Sequence, residues 1–173
     1  MVTRVLVWIV RGTPLILQII AIYYVPGLVL EGGSPWPRGE IGRMTAVCAA
    51  FIVNYAFYFS EIYRGGIQGV PAGQNEAGLV LGMTKRQIFF KVTLLQMIKR
   101  IVPPMSNEII TLVKDTSLAF TISVIEMFTV AKQLASAQAA MTPFVAAGIF
   151  YYVFNLLVAV VMEYFEKKLS YYQ

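Results

Sequence analysis

From Glu61 to Arg100 the chain reads EIYRGGIQGVPAGQNEAGLVLGMTKRQIFFKVTLLQMIKR, a polar stretch punctuated by glycines between strongly apolar runs. It carries six Lys/Arg residues and two Glu residues. Lysine and arginine resist transfer across a bilayer, so a basic loop of this length in a membrane protein is predicted to lie in the cytosol. We therefore assign residues 64–100 to a cytosolic loop, and its position orients the helices on either side.

The composition indicates an integral membrane protein. The 173 residues are 58% hydrophobic and 13% charged, whereas about a quarter of the residues of soluble domains are charged. The single cysteine, Cys48, and the lack of histidine exclude an internal disulfide, a Cys- or His-based metal site and a His-dependent triad. We predict no cofactor and no metal, and we attribute the net charge of +5 to cytosolic flanks of membrane helices rather than to nucleic-acid binding.

Four segments are predicted to cross the membrane, because a span needs about 20 mostly apolar residues. They lie at residues 12–30, 44–62, 101–125 and 143–163. The fourth begins at Pro143, and proline suits the first turn of a helix. We therefore expect residues 1–173 to form one all-α membrane domain.

The distribution of basic residues orients these spans. Four spans place both termini on the same side of the membrane. The N-terminal flank, the central loop and the C-terminal tail together carry ten Lys/Arg residues, whereas the two other loops carry three. Both termini are therefore predicted to be cytosolic. The first residues, with Arg4 and Arg11 on either side of six apolar residues, form neither a signal peptide nor a full span.

The central loop is predicted to fold as a helix, a glycine turn and a second helix. The first helix covers residues 72–81, and Gly82 stands where a C-terminal glycine ends a helix. Thr84 and Gln87 have the spacing of a capping box, which starts the helix over 85–100.

This short helix would project from the membrane as a mechanical handle. Gly65-Gly66 is expected to end the second span just before it. A projecting helix transmits a partner's rigid-body motion when its packing switches between two states. The alternative is an ordinary solvated loop.

The loop resembles the coupling loop of permease subunits of bacterial ABC importers. The pattern of that family is Glu-Ala-Ala, three residues, Gly, nine residues and Ile-x-Leu-Pro. The residues that match are Glu76, Ala77, Gly82 and Leu94, and those that depart are Gly78, Val92 and Leu95. Glycine in place of alanine at position 78 is expected to weaken the short helix by up to about 1 kcal/mol.

Five further motifs narrow the resemblance to the polar-amino-acid branch of these permeases. They are Arg11–Leu15 (RGTPL), Glu61–Ile67 (EIYRGGI), Pro103-Pro104, Asn107-Glu108 and Leu112–Leu118 (LVKDTSL). Members of that branch have a further membrane helix before the Arg-Gly-Thr-Pro motif. The resemblance therefore implies that this chain lacks the first helix of the family, the alternative being a four-span variant.

The resemblance implies a type I ABC importer fold with four transmembrane helices and a short cytosolic coupling helix in the bacterial inner membrane. The chain would form the path for a polar amino acid without being an enzyme, because it has no GxxxxGK[ST] loop for ATP. The implied partners are a dimer of ATP-binding subunits, a second permease subunit of the same or a homologous kind, an extracytoplasmic amino-acid-binding protein and membrane lipid. The residues assigned to ATPase coupling are Glu76, Ala77, Gly78, Gly82, Met83 and Thr84.

Charged residues in the third span predict a polar path. An ionised side chain at a span centre costs roughly 2.5–3.5 kcal/mol on insertion scales. The helix face that carries these charged residues must therefore line a bundle interior or an aqueous path, and its acids would suit the ammonium group of an amino acid. The residues assigned to the path are Asn54, Asn107, Glu108, Thr111, Lys114, Asp115 and Ser117. The alternatives are a structural ion pair of Lys114 with Glu108 or Asp115, or a position of this part of the chain at the membrane interface.

Other polar residues in the spans are expected to have structural roles. Gln18 and Asn155 would form hydrogen bonds between helices, and Tyr55 and Tyr58 would anchor span ends at the membrane interface.

Two other functions remain open from the residues alone. An ion-coupled secondary transporter or small channel would use the intramembrane acids to relay protons or bind cations. A membrane scaffold would need only a partner for the loop.

Overall fold

The computed structural model describes residues 2–169. Within this range the structure contains helices and no strand. The α-helices are α1 (Val2–Gly12), α2 (Leu15–Val29), α3 (Glu40–Gln68), α4 (Ala72–Val80), α5 (Lys85–Ile88), α6 (Leu94–Asp115), α7 (Met127–Gln138) and α8 (Thr142–Leu169). A π-helical turn, Phe89–Thr93, joins α5 to α6, and a 3₁₀ helix, Thr116–Ile122, follows α6.

Two helices, α3 and α8, are long and apolar enough to cross a membrane. Two bent helix pairs also meet these criteria if each pair counts as one span. They are Thr3–Gly12 with Leu15–Val29, bent by 107°, and Lys85–Ile122 with Met127–Gln138, bent by 59°. By length and composition, the described chain thus has two candidate spans, or four with the bent pairs.

The chain divides into two compact units. One contains residues 2–58 and 112–155, and the other contains residues 59–111 and 156–169. The core of the first unit consists of Ile19, Ala46, Val47, Ala50, Ala119, Ile122 and Val124. The alanines of α3 in this set allow close approach of neighbouring elements. Trp36 packs against this core and donates a hydrogen bond of 2.9 Å from Nε1 to the carbonyl of Ile22.

Helix α3 does not end at Gly65-Gly66, as predicted, but continues to Gln68. Gly66 is buried, and a Cβ atom at this position would lie 2.3 Å from Cγ2 of Ile101 and 3.0 Å from Cγ of Met97. The glycine therefore permits close packing between α3 and α6. From the sequence alone, a glycine with this role cannot be distinguished from one that ends a helix.

No break in helical structure separates the cytosolic helix predicted at 85–100 from the span predicted at 101–125. Helical structure runs without interruption from Lys85 through α6 to Asp115, with the π-helical turn inside it. Pro103 and Pro104 lie within α6 and do not end it.

The far end of this segment also differs from the prediction. The last part of the expected span is a 3₁₀ helix that ends at Ile122, where Ser123 adopts a left-handed conformation with φ of 61°. Helix α7 follows and had not been predicted. The carboxylate of Glu126 accepts hydrogen bonds of 2.6 Å from the N–H groups of Phe128 and Thr129, and so caps α7.

Candidate functional site

The coupling segment, residues 71–88, contains α4 and the turn that follows it. Gly82 adopts a left-handed conformation, with φ of +73°. Its N–H donates to the carbonyl of Leu79 at 2.9 Å, and the N–H of Met83 donates to the carbonyl of Gly78 at 3.0 Å. This pair of bonds is the Schellman motif, which satisfies the last carbonyls of a helix. The predicted role of Gly82 as a helix terminator is confirmed.

A capping box starts the next helix directly after this turn. The hydroxyl of Thr84 accepts a hydrogen bond of 3.3 Å from the N–H of Gln87, and the N–H of Thr84 donates to Oε1 of Gln87 at 2.8 Å. The turn is therefore held by hydrogen bonds on both sides, and the predicted capping box is confirmed.

Gly78 brings α4 into direct contact with α5. It is buried, and a Cβ atom there would lie 2.7 Å from Cγ1 and 3.0 Å from Cδ1 of Ile88. Helix propensity alone favours alanine at this position. The contact with Ile88 shows why glycine fits better, because a methyl group would push the two helices apart.

The tip of the coupling segment presents apolar side chains to its surroundings. Val80 is 88% exposed and Leu81 is 79% exposed, and the neighbouring Leu79 is also exposed. Glu76 and Ala77 are exposed on the same helix. Adjacent exposed aliphatic side chains on a rigid turn are typical of a surface that binds a protein partner.

A second polar group of residues lies within the first unit, where α3 contacts two other elements. The hydroxyl of Tyr55 donates a hydrogen bond of 2.8 Å to Oδ2 of Asp115, and Nδ2 of Asn54 donates to Oε1 of Gln18 at 3.0 Å. Asn54 and Tyr55 are both buried. Consecutive residues of α3 thus bind α2 on one side and the C-terminal end of α6 on the other.

Gln18 also fixes the bend between α1 and α2. Its Nε2 atom donates to the carbonyl of Val10 at 2.7 Å and lies 2.9 Å from Oγ1 of Thr13. The guanidinium of Arg11 lies over the ring of Tyr58, 5.0 Å from its centroid, which is the geometry of a cation–π contact.

These contacts change the interpretation of two tyrosines. Both were expected to anchor span ends at the membrane interface. Instead Tyr55 is buried and bound to a carboxylate, and Tyr58 lies beneath a guanidinium. Tyr55 directly follows Asn54, a polar residue of α3 that the sequence had already singled out. This adjacency is the sequence signal that could have drawn attention to Tyr55.

The other residues assigned to the path make local contacts. The hydroxyl of Thr111 donates to the carbonyl of Asn107 at 2.9 Å, and that of Ser117 donates to the carbonyl of Lys114 at 2.8 Å. Hydroxyls in helices commonly bond to the preceding turn in this way. Glu108 is half-buried.

The alternative ion pair of Lys114 with Asp115 is not formed. Lys114 is exposed, and among the described residues of the first unit its ammonium has no carboxylate oxygen within 4.0 Å. Asp115 instead accepts the hydrogen bond from Tyr55.

A cavity of about 300 Å³ lies in the first unit, between the end of α6, the start of α7 and the middle of α8. Its walls are mainly apolar and include Leu112, Met127, Phe150 and Phe154. Glu126 supplies a carboxylate to the lining, although both of its oxygens accept hydrogen bonds at the start of α7. This acid was not singled out from the sequence.

The chain has clear relatives among known proteins. Residues 1–171 match the family described as "Binding-protein-dependent transport system inner membrane component". The chain is 37% identical over 164 residues to the probable amino-acid permease protein YxeN of Bacillus subtilis (strain 168), covering 92% of this chain and 70% of that protein. It is 35% identical over 176 residues to the arginine ABC transporter permease protein ArtM of Escherichia coli (strain K12), covering 96% and 78%.

A third relative is the octopine transport system permease protein OccM of Rhizobium radiobacter, which is 38% identical over 161 residues. The alignment covers 90% of this chain and 64% of that protein, so the chain spans just under two thirds of this relative's length.

A solved structure, described as "Crystal structure of an amino acid ABC transporter with histidines", matches with a TM-score of 0.83 at 30% sequence identity. The match covers 95% of this chain and 74% of that chain. The predicted all-α, type I ABC importer permease fold is confirmed by this match and by the helices described above. The chain belongs to the family of binding-protein-dependent transport system inner membrane components.

Proposed function

We propose that the chain is the translocation subunit of an ATP-driven importer for a polar amino acid. Membership of the family and relatives named as amino-acid and arginine permeases support this proposal. The observation that carries it is the coupling segment, where a glycine turn with hydrogen bonds on both sides presents an exposed aliphatic tip.

In this proposal the tip of the coupling segment docks in a groove of a separate ATP-binding subunit. Leu79, Val80 and Leu81 supply the apolar contact, and Glu76 and Ala77 lie beside them on α4. The Schellman motif and the capping box resist bending of the turn. Motion of the ATP-binding subunit would therefore move α4 and α5 together, because Gly78 packs directly against Ile88.

We further propose that Asp115 lines the path of the substrate. Its carboxylate would bind the ammonium group of an amino acid, and the hydroxyl of Tyr55 would hold the carboxylate in position. Asn54, Asn107, Glu108, Thr111, Lys114 and Ser117 belong to the same proposed path.

The assembly follows from the same proposal. Two ATP-binding subunits, a second permease subunit and an extracytoplasmic binding protein would complete the importer in the bacterial inner membrane. Both ends of this chain would lie in the cytosol, on the side of the coupling segment, because most of the basic residues lie there.

The first test is capture of the candidate ATP-binding subunit from membranes by the affinity-tagged chain. Val80→Asp should abolish capture, because it places a charge in the centre of the apolar tip. Ile41→Asp is the matched control, since Ile41 is an aliphatic residue that is 73% exposed at the opposite end of α3. Equal capture by both variants would contradict the coupling role.

Transport in proteoliposomes separates the two main functions. Uptake that requires the ATP-binding subunit and internal ATP supports the importer. Uptake by the chain alone, driven by an ion gradient, would instead support the ion-coupled secondary transporter or channel.

A further inference from the structure

Helix α1 turns an apolar side away from the rest of its unit. Val5, Leu6 and Ile9 are all exposed, and Trp8 is 83% exposed. In a helix with 3.6 residues per turn, Val5 and Ile9 lie one turn apart on the same side. Exposure of such an apolar strip to water is unfavourable, so we expect lipid or another apolar surface to cover it.

The polar side of α1 faces the other way. Arg4 and Arg11 are seven residues apart and therefore share one side of the helix. Arg11 stacks on the ring of Tyr58 in α3, and the carbonyl of Val10 accepts a hydrogen bond from Gln18 in α2. The C-terminal end of α1 is thus bound to the helices of the first unit through Arg11 and Val10, whereas Arg4 is exposed and the apolar side points outward.

The angle between the helices indicates what lies on that outer side. Helix α1 is bent by 107° from α2, and the pair meets the criteria for a membrane span only when the two helices are counted together. If α2 runs along the membrane normal, α1 lies nearly parallel to the membrane plane. Its sequence contains two arginines and no acidic residue, a composition that suits phosphate headgroups.

We propose that α1 is an in-plane membrane helix whose apolar side enters the lipid where α2 begins. Val5, Leu6 and Ile9 contact acyl chains at a depth of about 5–10 Å below the headgroups. Trp8 and Arg4 lie at the border of the apolar side, where an indole and a guanidinium reach the headgroup layer. The bond of Gln18 to Val10 would hold the helix at this angle.

Quenching of Trp8 fluorescence by brominated lipids tests the proposal in the full chain reconstituted in nanodiscs. The chain has two tryptophans, so Trp36→Phe leaves Trp8 as the sole reporter. Bromines near the headgroup end of the acyl chain should quench strongly, bromines near the bilayer centre weakly, and aqueous acrylamide weakly. The converse variant, Trp8→Phe, supplies the profile of Trp36 alone.

Two results would overturn the proposal. Strong acrylamide quenching without lipid quenching would place the apolar side in water. Weak quenching by both agents would show that protein covers it, for example a second copy of this chain.

Cysteine labelling gives a second measurement that does not depend on replacing Trp36, whose indole is bound to Ile22. In a Cys48→Ser background, Ile9→Cys should react several-fold more slowly with a water-soluble maleimide in nanodiscs than Arg4→Cys. Equal rates for the two positions would contradict an in-plane helix with one side in lipid.

Discussion

The hydroxyl of Tyr55 donates a hydrogen bond of 2.8 Å to Oδ2 of Asp115, sixty residues further along the chain. A hydrogen bond to a charged group contributes roughly 1.5–3 kcal/mol. If Asp115 binds the substrate ammonium, Tyr55→Phe should raise the KM for transport by about tenfold, because about 1.4 kcal/mol corresponds to a factor of ten. Asp115→Ala should abolish uptake at comparable protein levels.

Tyr58→Phe is the matched control for this pair. It removes a tyrosine hydroxyl from the same helix but leaves the ring beneath Arg11. Uptake kinetics in proteoliposomes with the complete importer would measure all three variants. Unchanged kinetics in Asp115→Ala would remove this carboxylate from the path and leave its bond to Tyr55 a structural one.

Gly78→Ala should destabilise the coupling segment, whereas Gly73→Ala in the same helix should not. The new Cβ at position 78 would meet Cγ1 of Ile88 at 2.7 Å, while the space around Gly73 is open to at least 4 Å. Overpacking of this kind costs about 1–3 kcal/mol, and an unhindered alanine gains up to about 1 kcal/mol over glycine in a helix. Thermal unfolding at a fixed scan rate, together with capture of the ATP-binding subunit, measures both effects.

Removing the obstructing side chain tests the reason for that difference. In an Ile88→Ala background, the cost of Gly78→Ala should fall sharply, because the contact no longer exists. An undiminished cost would mean that position 78 requires glycine for some other reason.

The coupling segment could be predicted closely because its signals are local. Pro71 precedes α4, Gly82 follows it, and Thr84 and Gln87 are three residues apart. Each of these acts through its own backbone geometry or through a neighbour within one turn. Pro143 at the start of α8 was predictable for the same reason.

Features that depend on distant partners could not be predicted in this way. Gly66 looks like a helix stop until Ile101 is seen beside it. The bond of Tyr55 to Asp115 likewise joins two elements whose proximity no local pattern indicates. The same is true of Gly78, where propensity suggested a weakness and the structure shows a contact with Ile88.

Gly82→Ala should weaken the turn of the coupling segment. Gly82 has φ of +73°, and nothing lies within 4 Å of an added Cβ, so any cost arises from the backbone alone. A left-handed conformation costs a residue with a Cβ roughly 1–2 kcal/mol. Gly82→Asn should cost less, because asparagine adopts this conformation more readily. Capture of the ATP-binding subunit should therefore fall in the order glycine, asparagine, alanine. Equal capture by all three would show that coupling does not require the left-handed backbone conformation at position 82.

Gly65 and Gly66 are adjacent in α3 but should respond in opposite ways to alanine. A Cβ at Gly66 would lie 2.3 Å from Cγ2 of Ile101, whereas nothing lies within 4 Å of a Cβ at Gly65. Gly66→Ala should therefore lower stability by about 1–3 kcal/mol, while Gly65→Ala should raise it by up to about 1 kcal/mol through helix propensity.

Thermal midpoints of the two purified variants would distinguish these effects, with Gly66→Ala in an Ile101→Ala background as the relief test. The double variant should lose less from the added methyl group than the single variant does, since Cγ2 of Ile101 is gone. If instead both glycines respond alike to alanine, α3 and α6 do not pack closely at Gly66, and this glycine would be a helix-weakening residue of the kind that the sequence alone suggests.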